Sequence, residues 1–387
     1  MDAPSASLGT IAREWTRIGV TGFGGPPAHV ALLRKLVVEK YRWMDARAFE
    51  EANAACQLLP GPASTQLAIF CAHRLAGWPG AIVGGLGFVV PAVLMVLALS
   101  VVFLASAPPL WIKGAGAGAG AAVAAVALRA GFDLLGPSFA HAKEDGRHEA
   151  RWLLYVVLGG ISAALVGAYL VLVLIACGVI EVVVRRAGER KGMPSLAVSP
   201  GALILATASV GGIGALAWTS FKVGALSFGG GFVIIPLMQQ DAVEVYHWMT
   251  EAQFLNAVAL GQVTPGPVTA TLAAVGYAAF GVGGALLAAF VGFLPSFSFI
   301  LIGGGRFEKL RANPDARAFL GGAGPAAIGA ILGSVVPLTL GLEETWQFVL
   351  LAAAALSLLA LKRGIVTTLL IAGALGTAIA LAGGPIP

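Results

Sequence analysis

Glycine and proline interrupt the apolar sequence at two places where a helix would have to begin inside a buried segment. The first is Gly24-Gly25 and the second is Pro60-Gly61-Pro62. A helix that starts at such a break exposes unpaired backbone N–H groups and the positive end of its dipole, and glycine lets a ligand approach the backbone closely. Proline suits the first helical position because its missing N–H would be unpaired there anyway. This chemistry predicts binding of an anion.

Both breaks recur 205 positions later, as Gly229-Gly230 and Pro265-Gly266-Pro267. Between Phe23 and Ala68, 18 of 46 positions match the second copy without a gap, and the matches include Gly, Pro, Trp and Gln. Two apolar helices that resemble each other by chance would not match these residue types in register. The chain is therefore expected to be a duplication, with repeats at 1–184 and 221–387 and a linker with an extra span at 185–220.

Polar side chains flank the breaks and are the candidate anion ligands. Gln57 and Gln262 are repeat-related and precede the Pro-Gly-Pro corners, whereas Ser64 and Thr269 follow them. An amide or hydroxyl group donates hydrogen bonds to an oxyanion without carrying a fixed charge. Such groups also form hydrogen bonds between membrane helices, so a structural role remains open for each. The same set includes Asn53, Thr65, Gln66, Thr264 and Thr271.

A repeat-related cation stands upstream of the glycine pair in each copy, Arg17 in the first and Lys222 in the second. A charge at membrane depth is costly unless it faces a cavity or reaches the interface. Either these cations attract the anion, or their side chains extend to the lipid headgroups. The sequence leaves both roles open.

The composition shows which elements must hold these residues in place. Hydrophobic residues make up 58% of the 387 residues and charged residues 11%, whereas a soluble protein carries about 25% charged residues. The bilayer must therefore solvate most of the surface, which excludes a soluble enzyme and a nucleic-acid-binding protein. The basic residues lie in short loops between apolar runs, as is typical of membrane proteins.

The predicted fold is an all-α polytopic membrane protein with about nine full spans, since a spanning helix needs about 20 apolar residues. Four shorter segments are expected to form interrupted, re-entrant hairpin pairs, because broken backbone at membrane depth must be buried or line a cavity. The predicted spans are 80–105, 110–135, two helices within 152–184, 200–218, 281–304, 317–340, 346–361 and 365–381, and the short segments are 8–22, 26–40, 46–59 and 61–76.

Equivalent loops of the two copies carry opposite charge. Five Lys or Arg residues lie within 34–47, whereas the equivalent stretch 239–252 contains Asp241, Glu244 and Glu251 and no Lys or Arg. Since basic loops stay on the cytoplasmic side, the copies are expected to cross the membrane in opposite directions, with 200–218 as the extra span. An inverted repeat brings the four breaks together near the midplane.

No cofactor and no metal site are expected. The three cysteines, Cys56, Cys71 and Cys177, lie in apolar segments without metal-ligand spacing. The sequence also lacks a phosphate-binding loop of the nucleotide-hydrolysing type. The small residues of 114–125 allow close helix contact and would permit a homodimer.

The breaks and their spacing resemble the signature of the chromate ion transporter (CHR) family. The pattern occurs as Gly24-Gly25, Val38, Trp43 and Pro60-Gly61-Pro62, and again as Gly229-Gly230, Val243, Trp248 and Pro265-Gly266-Pro267. This resemblance covers nearly the whole chain. It implies a two-domain inner-membrane protein that exports chromate and confers chromate resistance, with sulfate as an isosteric competitor. The first copy departs from the pattern where Cys71 stands opposite Gly276.

A secondary transporter of a tetrahedral oxyanion, surrounded by lipid and working by alternating access, is the hypothesis that these observations favour. Export of a dianion from a cell that is negative inside is favoured by roughly 4.6 kcal/mol per 100 mV, so the membrane potential alone would suffice and proton coupling is optional. The alternatives are an anion channel, a carrier of sulfate or another oxyanion, and a membrane enzyme that reduces chromate. The enzyme has no support from a flavin, haem or redox-cysteine signature.

Overall fold

The computed structural model describes residues 6–59, 61–105, 107–144, 149–166, 170–188, 212–227, 232–303 and 313–387. Within these ranges the chain is helical and contains no strand. The first set of helices is α1 (Leu8–Thr21), α2 (Pro26–Arg34), α3 (Ala46–Leu58), α4 (Ala63–Phe103), α5 (Leu110–Ala121), α6 (Val123–Glu144), α7 (Glu149–Ile161) and α8 (Leu170–Gly188). The second set is α9 (Ile213–Leu226), α10 (Ile234–Gln239), α11 (Glu251–Val263), α12 (Leu272–Gly303), α13 (Pro314–Gly333), α14 (Val335–Leu340), α15 (Thr345–Ala355) and α16 (Ile365–Leu381).

Helix α4 consists of two arms that fold back on each other. Ala76 and Gly77 leave helical geometry, and Gly77 takes a φ of +59° that favours glycine. A Cβ atom on Gly85 would lie 2.9 Å from the Ile69 side chain, whereas a straight helix would place these residues about 24 Å apart. The predicted short segment 61–76 and the predicted span 80–105 are therefore the short arm (63–75) and the long arm (78–103) of one hairpin.

Helix α12 repeats this hairpin in the second copy. Phe280 and Gly281 form the turn, and a Cβ atom on Gly276 would lie 2.7 Å from the Cβ atom of Ala288 on the other side. A 3₁₀ turn, Val268–Thr271, precedes the short arm (272–279). The long arm (282–303) corresponds to the predicted span 281–304.

The two copies pack through equivalent helices. Helix α1 packs against α4, α9 packs against α12, and α4 packs against α12. A side chain on Gly19 of α1 would collide with the backbone carbonyls of Gly87 and Phe88 in the long arm of α4. Its counterpart Gly224 in α9 meets the backbone of Gly292 in the same way. Small residues thus let backbones approach closely at the centre of the molecule.

The predicted extra span 200–218 stays a prediction, since residues 200–211 lie outside the described residues. Helix α9 begins at Ile213 and continues to Leu226, across the expected boundary at residue 220. Both of its ends lie 205 positions beyond those of α1, so α9 is the counterpart of α1 rather than part of an extra connecting span. Any extra crossing would have to precede α9, and residues 189–211 lie outside the described residues.

Two of the remaining predicted spans are interrupted at a single residue, and each continues beyond it as one apolar helical segment. The span 110–135 breaks at Ala122 between α5 and α6, after a glycine-rich run that weakens helix formation. The span 317–340 breaks at Ser334, where Pro337 cannot donate an N–H group to the preceding turn. The segment 152–184 forms two helices, α7 and α8, as predicted, although Gly167 at the expected break lies outside the described residues.

The glycines of α5 pack within the chain. Gly114 and Gly118 lie against Gly376 and Ala372 of α16, so closely that any side chain would meet backbone. Gly116 on another face of α5 lies against Asn256 of α11. The prediction of close helix contact is confirmed. The same packing removes the argument for a homodimer through 114–125, because α16 of the same chain occupies this face.

Apolar side chains cover the outer surface of the helices. Leu94 in α4 is 54% exposed and Phe290 in α12 is 68% exposed. A soluble protein rarely exposes continuous apolar surface of this kind. Four helical segments in the described part of the chain are long and apolar enough to cross a bilayer: Ala63–Phe103, Leu110–Ala140, Val268–Gly303 and Pro314–Leu340. The protein is thus an all-α multi-pass membrane protein, whereas the count of nine spans stays a prediction.

Candidate anion site at the Pro-Gly-Pro corners

Each predicted Pro-Gly-Pro break is a buried corner that leads into a helix. Gly61 takes a φ of +115° and Gly266 a φ of +99°, which only glycine adopts without strain. Pro62 stands at the N-cap of α4, and Pro267 at the N-cap of the 3₁₀ turn that opens α12. The predicted helix starts are confirmed, although each proline lies one position earlier than the first helical residue that it was expected to be. Pro265 is buried in the second corner, and Pro60 lies outside the described residues.

The glycine pair near the start of the chain is less central than predicted. Gly25 is the N-cap of α2, which begins at Pro26 as expected. Gly24, however, is exposed, whereas Gly22 is buried. Gly22 therefore contributes the backbone that reaches the corners. The second pair, Gly229 and Gly230, lies outside the described residues.

A chain of hydrogen bonds joins the two corners. The backbone N–H of Gly266 donates to the carbonyl oxygen of Gly22 at 3.0 Å. Nε2 of His29 lies 2.9 Å from the same carbonyl oxygen, and Nδ1 of His29 lies 3.2 Å from Oγ of Ser64. Ser64 belongs to the first turn of α4, which starts at the other corner. The starts of α4 and α12 therefore converge, as the repeat predicts.

Contacts at the two corners are reciprocal between the copies. A Cβ atom on Gly61 would lie 3.3 Å from the carbonyl oxygen of Gly224, and one on Gly266 would lie 3.5 Å from that of Gly19. Gly61 and Gly266 are repeat counterparts, and so are Gly19 and Gly224. Each corner thus packs on the α1-type helix of the other copy, as expected for a pseudo-two-fold arrangement.

Buried hydroxyl groups without partners surround the corners. Thr65, Thr269 and Ser296 are 0% exposed, and their hydroxyl oxygens have no hydrogen-bond partner among the described residues. Ser296 Oγ lies 3.4 Å from the position of a Cβ atom on Gly61, which places it at the first corner. A buried polar group without a partner costs about 1–3 kcal/mol. Such groups are therefore available to a ligand that accepts hydrogen bonds.

The two repeat-related glutamines occupy different environments. Gln262 is 7% exposed, and its Nε2 has no partner among the described residues. Gln57 is exposed, and its Nε2 makes only a long contact of 3.5 Å with Oδ1 of Asn53. The structure therefore brings Gln262 into the buried region at the corners and leaves Gln57 outside it.

The two candidate cations also differ. Nζ of Lys222 lies 2.6 Å from Oδ2 of Asp241, and the two side chains are 14% and 9% exposed. Asp241 accepts a second hydrogen bond from Thr219 at 2.6 Å. The Arg17 side chain is 69% exposed and lies 3.7 Å from the carboxylate of Glu14. Lys222 is thus held by a buried carboxylate, whereas Arg17 reaches the surface.

Sequence reasoning missed His29 and Ser296. His29 is 0% exposed and packs edge-on against Phe88, with ring centroids 5.1 Å apart. Their repeat counterparts are Ile234 and Ala92, the latter because the hairpin turns at Gly77 and Gly281 are 204 rather than 205 positions apart. The duplication therefore gives no signal for either residue. A histidine within an apolar segment between two breaks was the available clue, because ionisable residues at membrane depth are costly and usually functional.

The chemistry at the corners consists of hydrogen-bond donors rather than metal ligands. No group of three or more His, Cys, Asp or Glu residues that could hold a metal ion occurs in the part of the chain that the structure describes. Interrupted helices whose starts meet inside a polytopic helical protein define a class, the membrane transporters with broken helices.

The chain belongs to the chromate transporter family. The sequence model of that family matches residues 9–182 and 214–377, two segments whose starts are 205 positions apart, like the repeat. A chromate transport protein of Cupriavidus metallidurans is 31% identical over 96% of this chain and 92% of its own length. A probable chromate transport protein of Synechococcus elongatus is 28% identical over 87% of this chain and 85% of its own length. No solved structure matches. Family membership confirms the predicted resemblance and the prediction that the chain is not an enzyme.

Proposed function

We propose that this protein is a secondary transporter that exports chromate and binds the anion between its two Pro-Gly-Pro corners. The hydrogen-bond chain from Gly266 through Gly22 and His29 to Ser64 carries the proposal, because it brings the two helix starts to one place. Chromate transport proteins that align with nearly the whole chain support the choice of cargo.

The site favours an anion because its groups donate hydrogen bonds and carry no negative charge. The unpaired hydroxyls of Thr65, Thr269 and Ser296 and the amide N–H of Gln262 can all donate. The helix starts at Ala63 and Val268 add partial positive charge. Several donors around one cavity suit a tetrahedral oxyanion, so sulfate is expected to compete with chromate.

A carrier with alternating access explains the burial of these groups better than an open pore does. Thr65, Thr269 and Ser296 have no exposed surface, so an anion reaches them only when the helices around the corners move. Gly61 and Gly266 each pack on a helix of the other copy, so the two corners could move in an equivalent way. We propose that the copies are inverted in the membrane, since this places the two half-sites on opposite sides of one central cavity.

Export across the inner membrane follows from the charge of the cargo. Moving two negative charges out of a cell that is negative inside releases roughly 4.6 kcal/mol per 100 mV. The protein would then confer chromate resistance without hydrolysing a nucleotide.

Transport into inside-out vesicles tests the proposal. Vesicles with the wild-type protein should accumulate labelled chromate when the interior is made positive, and sulfate should compete. Thr269→Val keeps the side-chain shape but removes the donor, so uptake should fall at least about tenfold, as expected for a hydrogen bond to an anion.

A matched substitution separates the site from general damage. Thr368→Val removes a hydroxyl that is 4% exposed but bonded to the carbonyl of Gly364, the N-cap of α16, and to the hydroxyl of Ser357. Its uptake should equal that of the wild type. Equal uptake by Thr269→Val and wild type, or no uptake by either, would contradict the proposal. Single-channel currents through the purified protein would indicate that it is a pore and not a carrier.

A further inference from the structure

His29 is the one histidine that the structure places between the corners, and both of its ring nitrogens are engaged. The ring is fully buried on α2. Nε2 faces the carbonyl oxygen of Gly22 at 2.9 Å, and Nδ1 faces the hydroxyl of Ser64 at 3.2 Å. The second copy has Ile234 at the equivalent position, so this device occurs once in the duplicated chain.

The partners of His29 determine where its protons lie. A carbonyl oxygen can only accept, so Nε2 must carry a hydrogen and donate it to Gly22. In a neutral imidazole the other nitrogen is then an acceptor, and Ser64 must donate its hydroxyl hydrogen to Nδ1. In this state the Ser64 hydroxyl cannot donate to an anion, although it stands in the first turn of α4.

Protonation of His29 would reverse that hydrogen bond. With hydrogens on both nitrogens, Nδ1 donates to Ser64 Oγ, and the Ser64 hydroxyl hydrogen becomes free to turn towards the corner. The ring also gains a positive charge next to the unpaired donors. Protonation of His29 therefore frees the Ser64 hydroxyl, at the start of α4, to donate a hydrogen bond to an anion.

No charged group forms a hydrogen bond with the His29 ring among the described residues. The imidazole bonds directly to Gly22 and Ser64 and packs on Phe88, none of which is titratable. Helix α2 packs on α1, α3, α4 and the π-helical segment Lys35–Lys40 that follows it. The titratable groups on these elements are Arg13, Glu14 and Arg17 on α1, Arg34 on α2, Lys35, Glu39 and Lys40 on the π-helical segment, Arg47, Glu50, Glu51 and Cys56 on α3, and Cys71, His73 and Arg74 on α4. No Asp, Glu, Lys, Arg or His lies within 264–272 of the second corner. Glu14 is already bonded to Lys40 at 2.9 Å and Tyr41 at 2.9 Å. A negative charge that compensates a protonated His29 must therefore come from the bound anion.

We propose that His29 is a proton-binding site coupled to the anion site, so that the proton and the oxyanion bind together. A proton from water binds Nδ1 of His29 when the site opens. The Ser64 hydroxyl then donates its hydrogen bond to the anion instead of to Nδ1. This inference rests on the proposed function, because it requires an anion at the corners. By linkage, anion affinity rises as pH falls, by at most about tenfold per pH unit.

Binding of sulfate to the purified full-length protein in detergent tests the coupling, since the charge of sulfate does not change between about pH 5 and pH 8. The wild type should bind sulfate more tightly at the lower pH and should take up as much as one proton per anion from a weakly buffered solution. His29→Gln keeps a donor and an acceptor but cannot titrate. It should bind sulfate with no pH dependence and without proton uptake.

His73→Gln is the matched control, since it makes the same substitution on the short arm of α4 away from the corner. It should behave as the wild type. Ser64→Ala, which retains the histidine, should weaken binding mainly at the lower pH and thereby bring the affinities at the two pH values closer together. These readouts do not depend on the folding of any single variant, because proton uptake is measured on the wild type.

The outcomes separate this inference from the proposed function. Sulfate binding by the wild type without proton uptake would overturn the coupling and leave the anion site standing. The same pH dependence in His29→Gln and wild type would do so as well. No sulfate binding by the wild type at any pH would overturn both.

Discussion

Gly266 donates its backbone N–H to the carbonyl oxygen of Gly22 at 3.0 Å, and this bond ties the second Pro-Gly-Pro corner to the end of α1 in the first copy. His29 shares the same carbonyl oxygen and extends the connection to Ser64 at the first corner. The two halves of the duplicated chain therefore meet through backbone that carries no side chain, at a place where a ligand can approach closely.

Gly266→Ala should abolish or strongly reduce transport. The new Cβ atom would lie 2.6 Å from that of Ala92, and a φ of +99° costs an alanine about 1–3 kcal/mol. Vesicle uptake measures the effect, and monodispersity in detergent checks the fold. Gly283→Ala is the control, because a Cβ atom there meets nothing within 4 Å. Normal uptake by Gly266→Ala would argue against a tight corner at the site.

Lys222 should matter for stability, and Arg17 should not. Removing one partner of a buried ion pair leaves an uncompensated charge and typically costs about 3–5 kcal/mol. Lys222→Met should therefore lower the melting temperature markedly, and Lys222→Met with Asp241→Leu should recover most of the loss. Arg17→Met, at a side chain that is 69% exposed, should melt as the wild type does. If Lys222→Met were as stable as wild type but lost anion binding, Lys222 would instead contact the anion.

Gln262→Leu should weaken anion binding more than Gln57→Leu does. Gln262 is buried and its Nε2 has no described partner, whereas Gln57 is exposed. Loss of a hydrogen bond to an anion corresponds to about tenfold in affinity. Sulfate titrations of the two variants give the comparison. Equal losses would show that both halves contribute equivalent amides in the bound state.

Gly118→Ala should destabilise the protein, although alanine is the better helix former. A Cβ atom on Gly118 would collide with the backbone of Ala372 and force α5 away from α16. Gly136→Ala is the control, since nothing lies within 4 Å of its Cβ position, and the helix propensity of alanine should stabilise it by about 1 kcal/mol. Thermal melts in detergent compare the two. A higher melting temperature for both would mean that α5 and α16 do not pack closely.

The sequence predicts the corners well because they depend on local chemistry. Gly61 and Gly266 need positive φ, the neighbouring prolines restrict helix starts, and the duplication fixes their correspondence. Helix α9 is placed less well, because the predicted span 200–218 runs through Gly211-Gly212, and Gly212 is the N-cap at which the helix begins. His29 and Ser296 could not be assigned, since their roles depend on contacts between distant segments and their counterparts, Ile234 and Ala92, lack polar side chains.

The position of chromium in an experimentally determined structure with bound chromate tests the central claim most directly, because anomalous scattering locates the metal of the oxyanion without interpretation of side chains. The account predicts one peak between the corners, with chromate oxygens within hydrogen-bond reach of Thr269 and Ser296. A peak outside the corners, such as among Arg13, Arg17 and Lys40 near Glu14, would contradict it.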